Sequence, residues 1–403
     1  MNWRRRVLEI VDVVGMAGVR LFFCVTRLGR VSTVKRSLWT GTPVINMAIN
    51  ARAERLLGVE SRSLVDHAYF ITDEFDYNLS RLMKFKPLAL VLPYLVLIWA
   101  AIRFQRFHFY CDRGILRSNT PLTFHPQELR LLQGLGKEIY FWTYGADVRT
   151  QQRTRALGEF HCCFDCPEPG EGCTCNDDRG HQNYERISAA ATAVFAMGDM
   201  LEYTPGSRND IFFWPVDLNR DSGRRYTPCY PGPDSNRPIR IVHAPNHRHF
   251  KGTRYLLAAV ENLKLEGFEI DLQLVERVPN REALEIYRSA DIIFDQCLIG
   301  FHGYFANEAM AMGKPVMTYI RRPEHYLLAS DECPLINADA SQVESTLRSL
   351  LNDRRRLHDL GIAGRKYIEK HHTLDAFAGR LRLAYSQIGG QSNGHSNTER
   401  IAA

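Results

Sequence analysis

Residues 291–320 read DIIFDQCLIGFHGYFANEAMAMGKPVMTYI, and the order of their apolar, glycine and acidic positions decides the fold class. Ile292–Gln296 is an apolar run of strand length. Ala306–Met312 reads as a helix that Gly313 stops, and Pro315 keeps it from resuming before the next strand, Pro315–Ile320. Gly303 lets backbone approach a ligand, and the amides behind it open a helix N-terminus, where an anion is favoured. Glu308 falls in the first helical turn, facing the crevice outside the carboxyl ends of parallel strands.

The same alternation extends in both directions. Ile239–Ala244, Ile270–Val275, Ile292–Gln296 and Pro315–Ile320 read as strands, with helices at Thr253–Glu266 and Arg281–Ala290 between them. Arg- and Lys-rich helices follow at Ser341–Leu351, Arg354–Lys370 and Leu374–Ile388. Upstream, strands are expected at Ser37–Thr40, Leu64–Ile71, Phe107–Tyr110, Glu138–Thr143, Ala193–Met197 and Asp210–Trp214. A helix runs from the Gly41-Thr42-Pro43 turn to Gly58, and Leu88–Ile102, apolar nearly all round, reads as a helix buried against a sheet. Residues 219–238, rich in Arg, Pro, Gly, Ser and Asp, separate the halves. The expectation is an α/β chain of two Rossmann-like, doubly wound domains facing a cleft: 1–218, a linker at 219–238, 239–390, and a disordered tail at 391–403. A Cys-rich insertion occupies about 159–181 of the first domain.

Gly303-x4-Glu308-Ala-Met-Ala-x-Gly313-Lys-Pro-Val resembles the donor-binding signature of the large retaining glycosyltransferase superfamily with a GT-B fold, the group 1 or family 4-like enzymes. That resemblance implies that the amides of Gly303, Tyr304 and Phe305 meet the donor diphosphate and that Glu308 binds the ribose hydroxyls. The family's second glutamate, which faces the donor sugar, is replaced here by Gly300, with His302, Asp295 and Gln296 nearby as substitutes. Residues 241–253, IVHAPNHRHFKGT, resemble the strand–loop–Lys-Gly–helix that opens the family's C-terminal domain. Lys251-Gly252 matches it directly; the usual arginine is replaced by Asn246, so Arg248 or His247 takes its role as a cation for the departing diphosphate. Gly41–Pro43 resembles the family's first glycine loop, and Asp147 and Arg149 of Tyr144–Arg149 resemble a Gly-x-Asp-x-Arg segment of related enzymes. The catalytic candidates are thus Lys251, Arg248, Asp147 and His302, and the donor-binding candidates Gly303, Tyr304, Phe305, Glu308, Asn246, His247 and Gly41. Lys251 and Glu308 are expected to serve the ligand and not the core.

With 403 residues, 45% hydrophobic and 24% charged, the chain suits two ordinary globular domains. Its net charge of +6 sits in local clusters such as Arg4–Arg6 and Arg354–Arg356, without the basic stripe and interleaved aromatics of a nucleic-acid binder. Anionic ligands and an anionic membrane face are the better partners. Val7, Val11, Val14, Leu21, Val25 and Leu28 recur at helical spacing among arginines, so residues 1–30 read as a basic amphipathic helix that lies in a membrane interface or packs on its own domain. Glu9 and Asp12 interrupt any signal-peptide apolar core, and the longest uncharged run, Pro87–Ile102, holds 16 residues, short of the ~20 of a span. The reading is a cytoplasmic protein on the inner membrane face. Cys163, Cys166, Cys173 and Cys175 offer four thiolates to a structural zinc, with free thiols or disulfides as alternatives; the resemblance implies that catalysis itself needs no cofactor. The implied function is transfer of a sugar from a nucleotide-diphosphate donor to a carbohydrate or lipid-linked acceptor in surface-polysaccharide or glycolipid assembly. A sugar-nucleotide epimerase of the same fold, and a silent nucleotide-sugar-binding scaffold, are the alternatives.

Overall fold

The computed structural model describes residues 3–26, 35–69, 72–120, 122–167 and 176–398. The first domain carries six parallel strands: β1 (Arg36–Thr40), β2 (Glu60–Val65), β3 (Tyr77–Asn78), β4 (Arg106–Tyr110), β5 (Glu138–Trp142) and β6 (Ala193–Phe195), in spatial order β3-β2-β1-β4-β5-β6. Helices α1 (Trp3–Thr26), α2 (Ile45–Arg55), α3 (Lys86–Arg103), α4 (Pro126–Gly134), α5 (Gln151–Ala156) and α6 (Asp177–Ala190) cover it. The second domain orders β7 (Ile239–His243), β8 (Ile270–Leu274), β9 (Ile292–Gln296), β10 (Val316–Thr318) and β11 (Ile336–Asn337) as β11-β10-β9-β7-β8, again all parallel. Its helices are α7 (Arg248–Lys251), α8 (Thr253–Leu265), α9 (Asn280–Arg288), α10 (Tyr304–Ala311), α11 (Pro323–Tyr326), α12 (Val343–Leu351) and α13 (Arg354–His371). Strands β4 and β9 are buried along their whole length because helices close both faces of a parallel sheet, and the polar residues they carry, among them Arg106, His108, Asp295 and Gln296, are buried with them.

The last helix, α14 (Leu374–Thr398), leaves the second domain and returns to the first, where Phe377, Leu381 and Ala384 enter the core. Its backbone is helical through Thr398, where a disordered tail from Gln391 was expected. Buried Glu54 of α2 fastens it: the carboxylate accepts from Ser37 Oγ (2.6 Å), Trp39 Nε1 (2.9 Å), Ser61 Oγ (2.8 Å) and Tyr385 OH (2.7 Å). One side chain thereby joins β1, β2, α2 and α14.

Several expectations change. Strand β2 ends at Val65 and does not reach Ile71, which lies outside the described residues. Residues 210–214 form no strand, since Phe212 sits in the left-handed region at φ 49° and breaks the extension; only Arg208 and Val216 make isolated bridges, to Phe195 and Thr373. Helix α4 was not anticipated. Helix α3 forms as expected but is not buried: Val96, Leu97, Ala100 and Ala101 face the core, while Leu90, Val91, Leu95, Trp99 and Ile102 face outward. It is also, among the described residues, long and apolar enough by composition to cross a bilayer.

Burial opposes ionisation of Glu54, but His108 and the donors of Ser37 and Trp39 outweigh it and hold its pKa down to about 2 from 4.5. The depressed value means that the stability it contributes is present above 4.5 and lost as pH falls toward 2. Glu54→Gln is expected to cost about 3 kcal/mol at neutral pH, with the gap to wild type narrowing in acid. Denaturant titration at both pH values measures it; a gap independent of pH would show that the charge is not what the site holds.

Candidate functional site

Strands β7 and β9 are neighbours while β8 and β10 depart in opposite directions, so a crevice opens outside their carboxyl ends. The loop after β7 carries Lys251 and the loop after β9 carries Gly303. Buried Asp295, near the end of β9, ties the two together: Oδ1 accepts from Lys251 Nζ at 2.6 Å and Oδ2 accepts from the Gly303 N–H at 2.6 Å. Burial works against the Asp295 charge, but the Lys251 ammonium and the Gly303 amide prevail and keep its pKa below the ordinary value. A side chain at Gly303 would begin 3.2 Å from both the Asp295 carboxylate and the Lys251 ammonium. A larger residue there would push against that cation at the start of α10.

Helix α10 starts at Tyr304, two residues before the expected Ala306, so Glu308 sits in the second turn and not the first. It is buried, and Oε1 accepts from Tyr226 OH at 3.0 Å; Asn280 Nδ2 donates to both oxygens, at 3.1 and 3.3 Å. Burial raises its pKa to about 7 against the opposing pull of Asn280 and Tyr226. Those two partners line a cavity of about 420 Å³ between the domains, whose far wall is Ile45, Ala48 and Arg52 of α2. Tyr226 and Asn280 were not foreseen, because neither lies in a motif and each is close to Glu308 only through the fold.

The other expected donor residues fall in different places. Arg248 is exposed and forks onto Glu276 at 2.8 and 2.6 Å, and Asn246 and His247 are exposed beside it, with the His247 ring against Phe250. His302 is buried; its Nδ1 hydrogen bonds to the Gly303 carbonyl (3.1 Å), and burial lowers its pKa, favouring the neutral ring. Tyr304 donates its hydroxyl to the Pro215 carbonyl at 2.9 Å, and Phe305 packs on Tyr287. Gln296 is consumed in organising the loop, accepting from the amides of Leu298 (2.9 Å) and Ile299 (2.6 Å). At Gly300, φ is 90° and a Cβ would lie 2.5 Å from Arg321 Nη1. The guanidinium of Arg321 thus occupies the space a side chain at 300 would need; its Nη2 donates to the carbonyls of Phe160 (3.1 Å) and Ile299 (3.3 Å).

Opposite, in the first domain, the crevice between β1 and β4 holds a second cluster. Gly41, at the head of β1, passes 2.7 Å (at its Cβ position) from the Arg113 carbonyl. Asp112, two residues past the end of β4 and missed in the sequence, is buried and accepts from Thr42 Oγ1 (2.5 Å) and Tyr144 OH (2.9 Å). Asp147 accepts from the amides of Tyr144 (3.0 Å), Gly145 (2.8 Å) and Cys111 (3.2 Å); burial, then the nearby Asp112 charge, raise its pKa to about 7. Arg149 does not pair with it but forks onto buried Asp199 at 3.0 and 2.8 Å. Both residues hold loops in place. Of the four cysteines proposed for zinc, Cys163 is buried against Phe250 and Ile299, and the Cys166 amide donates to its carbonyl at 3.5 Å. Cys173 and Cys175 lie outside the described residues, and among the described ones no three His, Cys, Asp or Glu side chains are grouped to hold a metal.

No protein-family model matches the chain, and no curated protein matches it. Among solved structures it is similar to sucrose-phosphate synthase from Thermosynechococcus elongatus, with a TM-score of 0.55 and 13% identity over 89% of this chain and 100% of that one. It is also similar to HepE from Anabaena in complex with UDP-glucose, with a TM-score of 0.53 and 10% identity over 87% and 99% of the two chains. At these identities the likeness is one of fold, and the chain has the GT-B fold.

A carboxyl whose pKa is raised on folding contributes its stability below 4.5 and loses it as pH rises to about 7. Glu308→Gln is therefore expected to gain on wild type across that interval, by up to about 3 kcal/mol above pH 7. Parallel unfolding curves of the two proteins cancel the other carboxyls; a difference that stays flat with pH would place Glu308 in a solvated setting.

Proposed function

We propose that this protein transfers a glycosyl group from a nucleoside-diphosphate sugar, bound by the second domain, to an acceptor presented across the cleft by the first. The observation that carries the reading is the convergence of the Lys251 ammonium, the Gly303 amide and the start of α10 on one crevice, with Glu308 one turn further along the same helix. A diphosphate placed there meets the positive end of α10 and a cation that exchanges Asp295 for phosphate oxygen. The nucleoside then extends toward Asn280 and Tyr226, where Glu308 accepts from the ribose hydroxyls. The structure of HepE with UDP-glucose supports a nucleotide sugar as donor.

In the reaction the bond from the anomeric carbon to the diphosphate breaks and a bond to the acceptor oxygen forms, the acceptor's proton passing to the departing diphosphate. Negative charge grows on that diphosphate, and Lys251 and the α10 amides oppose it where it grows. In this reading the leaving group requires no metal, the anomeric configuration is retained, and the acceptor is a carbohydrate or lipid-linked carbohydrate of surface-polymer or glycolipid assembly. A silent nucleotide-sugar binder is the second reading. Its support is Gly300, where the resemblance implies a carboxylate and Arg321 fills the space instead.

Lys251→Ala leaves Asp295 buried without its cation, so that variant is expected to lose stability as well as affinity, contrary to what the motif alone suggested. Adding Asp295→Asn removes the orphaned charge. The double variant is expected to recover stability while binding a nucleoside diphosphate roughly 10- to 100-fold more weakly than wild type. Glu308→Ala should weaken binding by a similar factor. Calorimetric titration reads both, and wild-type affinity in either would move the donor site elsewhere. Release of nucleoside diphosphate coupled to sugar appearing on an acceptor separates transfer from silent binding.

A further inference from the structure

Helix α3 carries an apolar stripe that stays exposed among the described residues. Val91, Leu95, Trp99 and Ile102 recur at steps of three and four residues, and all are exposed, Val91 by 51% and Leu95 by 53%. Helix α1 repeats the design: Met16, Val19 and Phe23 face inward, while Ile10, Val14, Leu21 and Val25 face outward. The helices are locked side by side, since a Cβ at Gly15 would lie 2.6 Å from the Tyr94 ring, whose hydroxyl donates to Asp12 at 2.9 Å. The turn entering α3 adds exposed Leu82 and Phe85, alternating with exposed Arg81, Lys84 and Lys86.

Isolated exposed apolar residues are ordinary, but two stripes on adjacent helices mark an interaction surface. Its charge selects the occupant. Arg6 and Arg20 on α1 and Arg81, Lys84 and Lys86 on the turn are exposed cations, whereas the acids alongside are taken: Asp12 by Tyr94 and His125, and Glu60 by Arg36 and Arg103. A second copy of the chain would set like charge against like. A layer of anionic headgroups neutralises the cations while the stripes enter the acyl boundary. A span is not the fit, because the opposite side of α3 is built into the first domain. We propose that α1, the 81–86 turn and α3 together seat this protein in one face of an anionic bilayer without crossing it. The sequence pointed only to residues 1–30; α3 and its turn extend the exposed apolar surface well beyond them. A narrow hollow lined by Gly41, Leu92, Pro93 and Val96 separates α3 from the head of β1, so this face adjoins the crevice that holds Thr42 and Asp112. The seating does not depend on which reaction the cleft performs.

The test is flotation of the full chain with vesicles of phosphatidylcholine alone and of phosphatidylcholine mixed with phosphatidylglycerol. Wild type should float with the mixed vesicles. Val91→Glu/Leu95→Glu, and separately Lys84→Glu/Lys86→Glu, should partition roughly 10-fold less, with thermal unfolding unchanged to show that each is folded. Leu265→Glu, on the exposed surface of α8, should float like wild type. The proposal is overturned if wild type stays with the soluble fraction for both vesicles. It is equally overturned if the Val91/Leu95 variant floats as wild type does, or if light scattering shows a dimer that this variant dissociates without any vesicle binding.

Discussion

The candidate site depends on one buried carboxylate. Asp295 lies near the end of β9, where the sheet changes direction, and it holds a cation from one loop and an amide from the next. Without it the Lys251 ammonium would have no reason to sit against the start of α10. Burying an ion pair is costly, so this one is poor evidence for stability in itself. It makes physical sense as preorganisation: Lys251 is already at the mouth of the helix, and an entering dianion replaces a single carboxylate oxygen without recruiting a distant side chain. The arrangement also sets a requirement, because only a ligand with strong anionic character can compete with Asp295 for the lysine.

A cleft between two domains performs useful chemistry only if its walls are held in register. Here the chain crosses between domains and returns. The outward crossing runs through 219–238, where Arg220 and Arg225 grip Glu74 of the first domain at 3.0 and 2.7 Å. The return is α14, fastened by Tyr385 to Glu54 and by the Arg106 guanidinium stacked 3.9 Å above the Tyr385 ring. Arg52 of α2, hydrogen-bonded to Asp217 at 3.1 Å, lines the same cavity as Asn280, so the α2 that α14 clamps is also one wall of the cleft.

The parallel strands of the second domain were legible because both faces of such a sheet are covered, leaving apolar stretches such as Ile292–Phe294 at the start of β9. Lys251 and Gly303 were legible because they belong to loops that follow such strands. Tyr226, Asn280, Asp112 and Arg321 were not, because each acts through a partner distant in sequence that only the fold brings near. Helix α3 shows the reverse difficulty. An apolar composition all round states that a helix avoids water but not what it meets instead, and one side of this helix is left exposed among the described residues. Arg248 shows that a basic residue in the right loop takes its nearest carboxylate, here Glu276, when it points outward.

The central claim is that the β7–β9 crevice is a diphosphate site. A crystal structure of the chain soaked with a nucleoside diphosphate tests it most directly. Phosphate is expected within hydrogen-bond distance of Lys251 Nζ and the amides that open α10, with Lys251 released from Asp295 and Glu308 facing the ribose. A nucleotide found in the first-domain crevice at Thr42 and Asp112, with Lys251 still on Asp295, would contradict it.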